Sequence, residues 1–302
     1  MTAELSPRIP LTNNVTDVAL VFEGGGMRAS YTAPVAQVLL EQGIHFDWVS
    51  GISAGSSNAV NYLSRDIART ASSFVDSPAD PNFGGLRTML QGKGLFAAEY
   101  IYEHTAGPDE VLPFDFETFR ANPAQLRVGA FRCRDGEPVW FTQDDMRTLP
   151  DLMRRVRASS SMPFAMPLTF IDGEAYLDGA LGPSGGIPVQ PALDEGFERV
   201  FVVLTRPRSR LMRPYHLSPL LRAAWHTYPA VAEALIGRWR RYNATREMLF
   251  DLEASGRALI FAPTHVFVTT ATRSVPTLRM SYAAGLAQAR RELPLWRDFL
   301  GM

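Results

Sequence analysis

The sequence contains little cysteine and little lysine: Cys133 and Lys93 are the single members of their types among 302 residues. One cysteine excludes a disulfide within the chain and favours a reducing compartment. No apolar run approaches the roughly 18 residues of a membrane-spanning helix. Residues 1–14 hold two prolines and lack the apolar core of a secretory signal peptide. We therefore expect a cytoplasmic protein.

Strong net charge is also lacking, because 30 basic residues face 31 acidic ones. A net charge of −1 argues against nucleic acid as the main partner. Hydrophobic residues make up 46% of the chain, which is enough for a sizeable core. With no repeat and no obvious linker, 302 residues predict one compact unit. We expect a core at residues 1–205 and a mostly helical extension, packed on that core, at residues 206–302.

Hydrophobic patterning predicts an α/β chain. A short buried strand at 17–23 precedes a helix at 27–42, and a second strand precedes a second helix at 56–65. This order predicts parallel strands joined by right-handed crossovers. Residues 76–113 are rich in proline, glycine and aromatic residues, which is typical of a long surface excursion and makes them a candidate lid. Further strands are predicted at 125–131, 138–141, 168–171, 175–177, 199–204 and 258–262, and further helices at 152–160, 208–243 and 282–293.

Ser53 lies at the centre of a G-x-S-x-G pattern, directly after an apolar stretch. Gly51 and Gly55 leave room for a tight strand-to-helix turn that projects the serine hydroxyl at the carboxyl end of a sheet. The helix that follows would add partial positive charge from its amino terminus. Ser53 is therefore a candidate nucleophile.

A second loop, 24–28 with the sequence G-G-G-M-R, joins the first strand to the first helix. Consecutive glycines can turn their amide N–H groups towards one point, which creates a nest for negative charge. Such a nest fits an oxyanion hole or a phosphate cradle, and a plain tight turn is the third interpretation. A Walker P-loop is excluded because no Gly-Lys-Ser/Thr follows, and the spacing matches the dinucleotide fingerprint poorly.

A third loop begins with Asp178 and Gly179, again after a predicted strand. Asp178 can accept the proton of Ser53 if the two side chains share a crevice, although Asp-Gly is also a common turn. An amide nest, a nucleophile and a base are the parts of an acyl-transfer site, and all three loops follow predicted strands. The sequence thus predicts a serine hydrolase site at the carboxyl edge of the sheet.

The motifs G-G-G-x-R, G-x-S-x-G and D-G-A together resemble the patatin-like phospholipase family, especially its bacterial cytoplasmic branch with a C-terminal helical extension. Residues 158–163, 187–189 and 202–206 resemble the same branch, so the likeness covers almost the whole chain. The resemblance implies a three-layer α/β/α fold with a mostly parallel central sheet. It also implies a lipid acyl hydrolase that needs no metal and no cofactor.

By the same resemblance, Ser53 is the nucleophile and Asp178 is its partner in a Ser–Asp dyad. The resemblance assigns the oxyanion loop to four residues: Gly24, Gly25, Gly26 and Met27. Four more residues support the site: Arg28, Gly51, Gly55 and Gly179. Among these, Arg28 either anchors the loop by a salt bridge or binds a phosphate head group.

The sequence leaves two other functions open. A Ser–His–Asp esterase or thioesterase of the α/β-hydrolase type would recruit one of the histidines after Asp178, which are His216, His226 and His265. A non-enzymatic protein would use the glycine loop to bind a phosphate or a nucleotide.

Residues 206–242 carry eight arginines and one acid, interleaved with tryptophan and tyrosine. Such a basic face fits an anionic lipid surface, with Arg238, Arg240 and Arg241 as candidate contacts. It equally fits an ordinary pair of amphipathic helices packed on the sheet. We expect a lipid or another acyl ester as substrate and, on the first alternative, peripheral contact with a membrane.

Overall fold

The computed structural model describes residues 11–214 and 218–302. Two features considered from the sequence, His216 and most of the N-terminal stretch at 1–14, lie outside these ranges.

A single mixed sheet forms the centre of the molecule, with the strand order β5-β6-β3-β2-β1-β7-β8 and with β4 paired to β3. Its strands in the described residues are β1 (Val18–Phe22), β2 (Trp48–Ile52), β3 (Gln125–Arg132), β4 (Pro138–Phe141), β5 (Thr169–Ile171), β6 (Glu174–Asp178), β7 (Arg199–Val203) and β8 (Ala258–Phe261). The pairs among β1, β2, β3, β7 and β8 are parallel. The pairs that involve β4, β5 and β6 are antiparallel.

Helices cover both faces of this sheet. In the described residues they are α1 (Ala29–Glu41), α2 (Ala54–Leu63), α3 (Ile67–Val75), α4 (Leu86–Leu90), α5 (Ala98–Glu103), α6 (Phe116–Ala121), α7 (Leu149–Ser160), α8 (Gln190–Asp194), α9 (Ser218–Ala224), α10 (Pro229–Ala254) and α11 (Val275–Leu300). Every residue of β1 is buried, which is expected of a strand packed on both faces. Leu20 joins a core with Val35 of α1, whereas Val21 on the opposite face joins a core with Tyr242 of α10.

These two cores give three layers, so the predicted α/β/α fold with a mostly parallel sheet and a helical C-terminal part is confirmed. The C-terminal part contributes to every layer. Its strand β8 extends the sheet beside β7, α10 packs on one face, and α11 packs along α1 on the other. The close approach of α11 requires Gly285, because a Cβ there would lie 2.1 Å from the Tyr31 carbonyl oxygen. The boundary between residues 205 and 206 stays a prediction.

The excursion at 76–113 contains two short helices, α4 and α5, and lies beside α7. The amide of Leu95 donates to the carbonyl of Ala165 at 2.8 Å, which holds the excursion against the segment that follows α7. Within the described part of the chain, no helix combines the length and the apolar character needed to cross a membrane.

Candidate active site

Strand register brings the ends of β2 and β6 together. Because β2 is parallel to β3 and β6 is antiparallel to it, the two strands run towards each other along one edge of β3, with β4 on the other edge. Ile52, the last residue of β2, lies opposite Gly129, and Asp178, the last residue of β6, lies opposite Ala130. Ser53 follows Ile52 directly. The topology therefore places Ser53 and Asp178 side by side.

The turn at Ser53 is sharp and strained. Its backbone has φ 57° and ψ −131°, a conformation that side-chain-bearing residues rarely adopt and that is characteristic of a nucleophile elbow. The Ser53 amide donates to the Ser159 hydroxyl at 2.9 Å, and that hydroxyl donates to the Gly129 carbonyl at 2.6 Å. Ser159 thus ties the elbow to β3. Ser159 belongs to the 158–163 segment that resembles the family, but no sequence pattern predicted this position for it.

Two glycines make the elbow possible by close approach of backbones. A Cβ at Gly51 would lie 2.3 Å from the carbonyl oxygen of Gly55, and a Cβ at Gly55 would lie 2.2 Å from the carbonyl oxygen of Phe22. Helix α2 therefore starts directly against β1 and β2, and its first turn is closed by the Ser56 hydroxyl, which donates to the Ser53 carbonyl.

Replacing Gly55 with alanine should destabilise the fold by about 3 kcal/mol, because the added methyl group overlaps a backbone carbonyl that cannot move without displacing β1. Chemical denaturation of wild type and variant measures the difference. Gly107→Ala is the matched control, since its nearest neighbour would be a flexible Glu110 side-chain carbon at 3.3 Å. Equal destabilisation by both substitutions would contradict the role given to close packing at the elbow.

Asp178 is buried beside the elbow, with 5% of its surface exposed. One carboxylate oxygen accepts the Ala180 amide at 2.9 Å. The Ser53 side chain lies close enough to the same carboxylate to lower its pKa. Burial raises the pKa of Asp178 above its ordinary value, although the Ala180 amide, the Ser53 hydroxyl and the charge of Arg238 oppose the rise. The structure thus holds a carboxylate of enhanced basicity against a serine hydroxyl.

The glycine loop lies next to both side chains, but its four amides differ from the predicted arrangement. The Gly24 amide donates to the Gly186 carbonyl and the Met27 amide to the Thr270 carbonyl, each at 3.0 Å. These two predicted oxyanion donors are therefore already engaged. The amides of Gly25 and Gly26 make no hydrogen bond with any described residue. The loop is tied down at both ends, which leaves only its middle free to receive an anion.

Arg28 anchors this loop to the C-terminal part of the chain. Its guanidinium donates to the hydroxyl of Thr270, the residue that also binds the Met27 amide. Burial lowers the pKa of Arg28 to about 10, with a further contribution from Arg206. Of the two alternatives for Arg28, the contacts favour anchoring, with a hydroxyl as partner in place of the expected salt bridge.

Two cavities meet at Ser53. The larger one has a volume of about 480 Å³ and a mostly apolar surface, to which the excursion at 76–113 contributes Phe96 and Ile101 and α7 contributes Met153 and Val156. The smaller one has a volume of about 330 Å³. We call it the arginine cavity, since it is lined by Arg28, Arg206 and Arg238 together with Gly24, Gly25, Gly26, Ser53 and Asp178.

Neither cavity is lined by any histidine that the structure describes, and the described residues contain no cluster of potential metal ligands. A triad that recruits His226 or His265 therefore lacks structural support. The sequence-based alternative of His216 lies outside the described ranges.

Two arginines of the basic stretch at 206–242, Arg238 and Arg241, turn inward, which differs from the lipid-facing alternative for these two residues. Arg238 donates to the carbonyls of Ala180 and Gly185 at 3.0 and 3.1 Å, and Arg241 donates to that of Gly182 at 3.1 Å. Helix α10 therefore braces the loop that follows Asp178. Of the three candidate lipid contacts, only Arg240 is exposed. The spacing of Arg238 and Arg241 on one helical face was the available sequence signal for this brace.

Comparison with known proteins adds independent findings. The family model described as patatin-like phospholipase matches residues 20–193, and a model described as a domain of unknown function matches residues 228–301. The chain is 27% identical over 202 residues to the uncharacterized protein YjjU of Escherichia coli strain K12, which covers 65% of this chain and 54% of that protein. The chain thus aligns with about half the length of this curated relative.

A search of solved structures finds similarity to the crystal structure of VipD from Legionella pneumophila. The superposition has a TM-score of 0.48 and 12% sequence identity, and it covers 92% of this chain and 67% of that one.

Proposed function

Because this chain belongs to the patatin-like phospholipase family, we propose that it is a serine hydrolase that cleaves lipid acyl esters through a Ser53–Asp178 dyad. The observation that carries the proposal is the placement of Ser53 beside the buried Asp178 carboxylate, next to two unengaged glycine amides. Nucleophile, base and oxyanion donors are the minimum set for acyl transfer.

The proposed reaction has two halves. Ser53 attacks the ester carbonyl carbon while Asp178 accepts its proton, and the amides of Gly25 and Gly26 stabilise the resulting oxyanion, each by about 3 kcal/mol. The tetrahedral intermediate then expels the alcohol, which takes the proton from Asp178. In the second half, Asp178 accepts a proton from water while the water oxygen attacks the carbonyl carbon of the acyl-enzyme. The bond to the Ser53 oxygen then breaks, protonated Asp178 returns its proton to that oxygen, and the fatty acid leaves.

An aspartate can serve as the base here because of its surroundings. In water its pKa is far below that of a serine hydroxyl, so proton transfer would be strongly uphill. Burial disfavours the charged carboxylate and moves its pKa towards a more useful value. Gly179 supports this arrangement, since a Cβ there would lie 2.3 Å from the Gly129 carbonyl oxygen and would push Asp178 away from the elbow.

The larger cavity supports a lipid substrate. Its mostly apolar surface is lined by Ser53 and by residues of the excursion at 76–113, and an acyl chain bound there would be removed from water. We propose this excursion as the lid of the site. Helix α4 within it exposes three large apolar side chains, Leu86, Met89 and Leu90, by 77%, 56% and 89%. These residues, next to Arg87 and Lys93, support peripheral contact of a cytoplasmic enzyme with a membrane surface.

The dyad mechanism predicts that no histidine is needed. Alanine substitution of each of the five histidines should leave kcat/KM for a fatty-acyl p-nitrophenyl ester within about twofold of wild type, since no described histidine touches either cavity. Steady-state kinetics on the five variants is the measurement. Loss of activity in any folded histidine variant would favour a Ser–His–Asp hydrolase instead.

A direct test of the proposed function combines two assays on the whole chain. A fluorophosphonate probe should label Ser53 of the folded protein, as located by peptide mass spectrometry. Incubation with a total lipid extract should release free fatty acids that are absent from a parallel incubation with Ser53→Ala. A folded protein that neither reacts with the probe nor releases any fatty acid would point to the non-enzymatic, anion-binding alternative.

A further inference from the structure

The arginine cavity holds more positive than negative charge. Three guanidinium groups line it, whereas Asp178 is the single acidic side chain in its wall among the described residues. Glu23 lies behind the wall, where its carboxylate accepts the Thr205 amide and raises the pKa of Arg28 by its negative charge. Even with both carboxylates ionised, one cation remains unbalanced beside the nucleophile.

Arg206 is that cation. It lies shortly after β7, which ends at Val203, and it is half-buried. Its guanidinium lies over the ring of Tyr242, 5.7 Å from the ring centroid. No carboxylate pairs with it among the described residues. Its neighbour Arg208 differs in this respect, because it forms an ion pair with Glu253. A half-buried cation without an anionic partner is unfavourable, so the free site is suited to receive an anion.

Arg238 also lines the arginine cavity. Its Nε is used to hold the carbonyls of Ala180 and Gly185, but its terminal nitrogens make no hydrogen bond with described residues. One of them, Nη2, lies 3.4 Å from the point that a Cβ of Gly186 would occupy. Two guanidinium groups therefore present free N–H donors, and planar forks of this kind suit phosphate oxygens.

The position of Ser53 assigns the cavities to the two sides of an ester. If the acyl chain lies in the larger apolar cavity, the arginine cavity is the other cavity at Ser53 and remains for the alcohol part. We propose that the arginine cavity binds a terminal phosphate on that alcohol, so that the enzyme selects acyl esters of phosphate monoesters. A zwitterionic head group would also bring an ammonium group into this cavity, where the one acidic side chain among the described lining residues, Asp178, is assigned to catalysis. This inference rests on the proposed hydrolase function.

Three esters that share one acyl chain test the inference: 1-acylglycerol 3-phosphate, 1-acylglycerophosphocholine and 1-acylglycerol. We expect wild-type kcat/KM to be at least about tenfold higher for the first than for either of the others, as one charged hydrogen bond would provide. Arg206→Gln should reduce this ratio about tenfold, mainly through KM, and Arg206→Lys should keep part of it. Arg147→Gln is the matched control, because Arg147 is exposed and does not line the cavity.

Inhibition by inorganic phosphate tests whether the arginine cavity binds a free phosphate ion or the phosphate of a lipid head group. It should inhibit hydrolysis of 1-acylglycerol competitively in wild type and more weakly in Arg206→Gln. Inhibition by phosphate without any preference for the phosphorylated ester would overturn the proposed substrate, as would a preference that Arg206→Gln leaves intact. Hydrolysis of all three esters at equal rates would contradict the proposed phosphate preference but not the hydrolase function. Hydrolysis of none of them would contradict the hydrolase function itself.

Discussion

Replacing Ser53 with alanine is expected to lower kcat/KM for every ester substrate by at least about 10³-fold, because the variant has no hydroxyl to form the acyl-enzyme. The remaining rate over water would come from the Gly25 and Gly26 amides and from substrate binding. Continuous assay of a fatty-acyl p-nitrophenyl ester over a wide enzyme range measures the loss. The fluorophosphonate label should disappear in the same variant.

Two comparisons make the Ser53 result interpretable. Ser255→Ala removes an exposed hydroxyl at the end of α10 and should retain full activity. The thermal midpoint of Ser53→Ala should stay close to that of wild type, since Ser53 contributes its backbone amide, and not its side chain, to the contact with Ser159. A folded Ser53→Ala protein that keeps more than a tenth of the wild-type activity would show that another residue is the nucleophile.

Replacing Asp178 with asparagine is expected to lower kcat by about 10³- to 10⁴-fold, because asparagine cannot accept the serine proton. The side-chain oxygen can still accept the Ala180 amide, so the loop should keep its shape. Asp172→Asn is the matched control: it changes an exposed aspartate in the hairpin turn between β5 and β6 and should leave kcat unchanged.

The pKa of Asp178 sets the direction of two further changes. In wild type, activity should fall as pH drops through a pKa higher than the ordinary value of 3.8, because the protonated carboxyl cannot act as a base. The raised pKa also means that the folded state favours the protonated form. Protonation of Asp178 therefore contributes its whole stabilising free energy below the ordinary pKa of the unfolded chain. This contribution is lost as the pH rises through the higher pKa of the folded state. Ionised Asp178 is therefore a cost to stability at neutral pH.

Asp178→Asn should accordingly be more stable than wild type at pH 7, and the difference should shrink as the pH falls and the wild-type carboxyl becomes protonated. Denaturant unfolding of both proteins at pH 7 and at pH 4 measures this trend. An inactive variant that is less stable at pH 7 would indicate that Asp178 acts mainly as a structural hydrogen-bond acceptor. Full activity in the folded variant would exclude it as the base.

Local sequence patterns predicted the elements of the fold well. Each of the eight strands in the described residues was expected from apolar runs bounded by glycine, proline or aspartate. These residue types end strands and form turns through local backbone preferences, so a few adjacent residues are enough to predict the strand. Helices with weaker patterns were missed. Helix α3 begins after Asp66, whose side chain caps the Arg69 amide, and α11 begins at Val275, before the expected residue 282. Both starts carry readable cap residues, Asp66 and Ser274.

The sequence by itself determined the parts of the candidate site: a serine between glycines, a glycine nest and an aspartate, each directly after a strand. These are local features, because close backbone approach and tight turns restrict the residues at a few adjacent positions. Tertiary structure decided how the parts combine. The antiparallel register of β6 on β3 sets Asp178 beside Ser53, and contacts with Gly186 and Thr270 select which glycine-loop amides stay free. Such pairings join distant segments, so no local pattern can encode them.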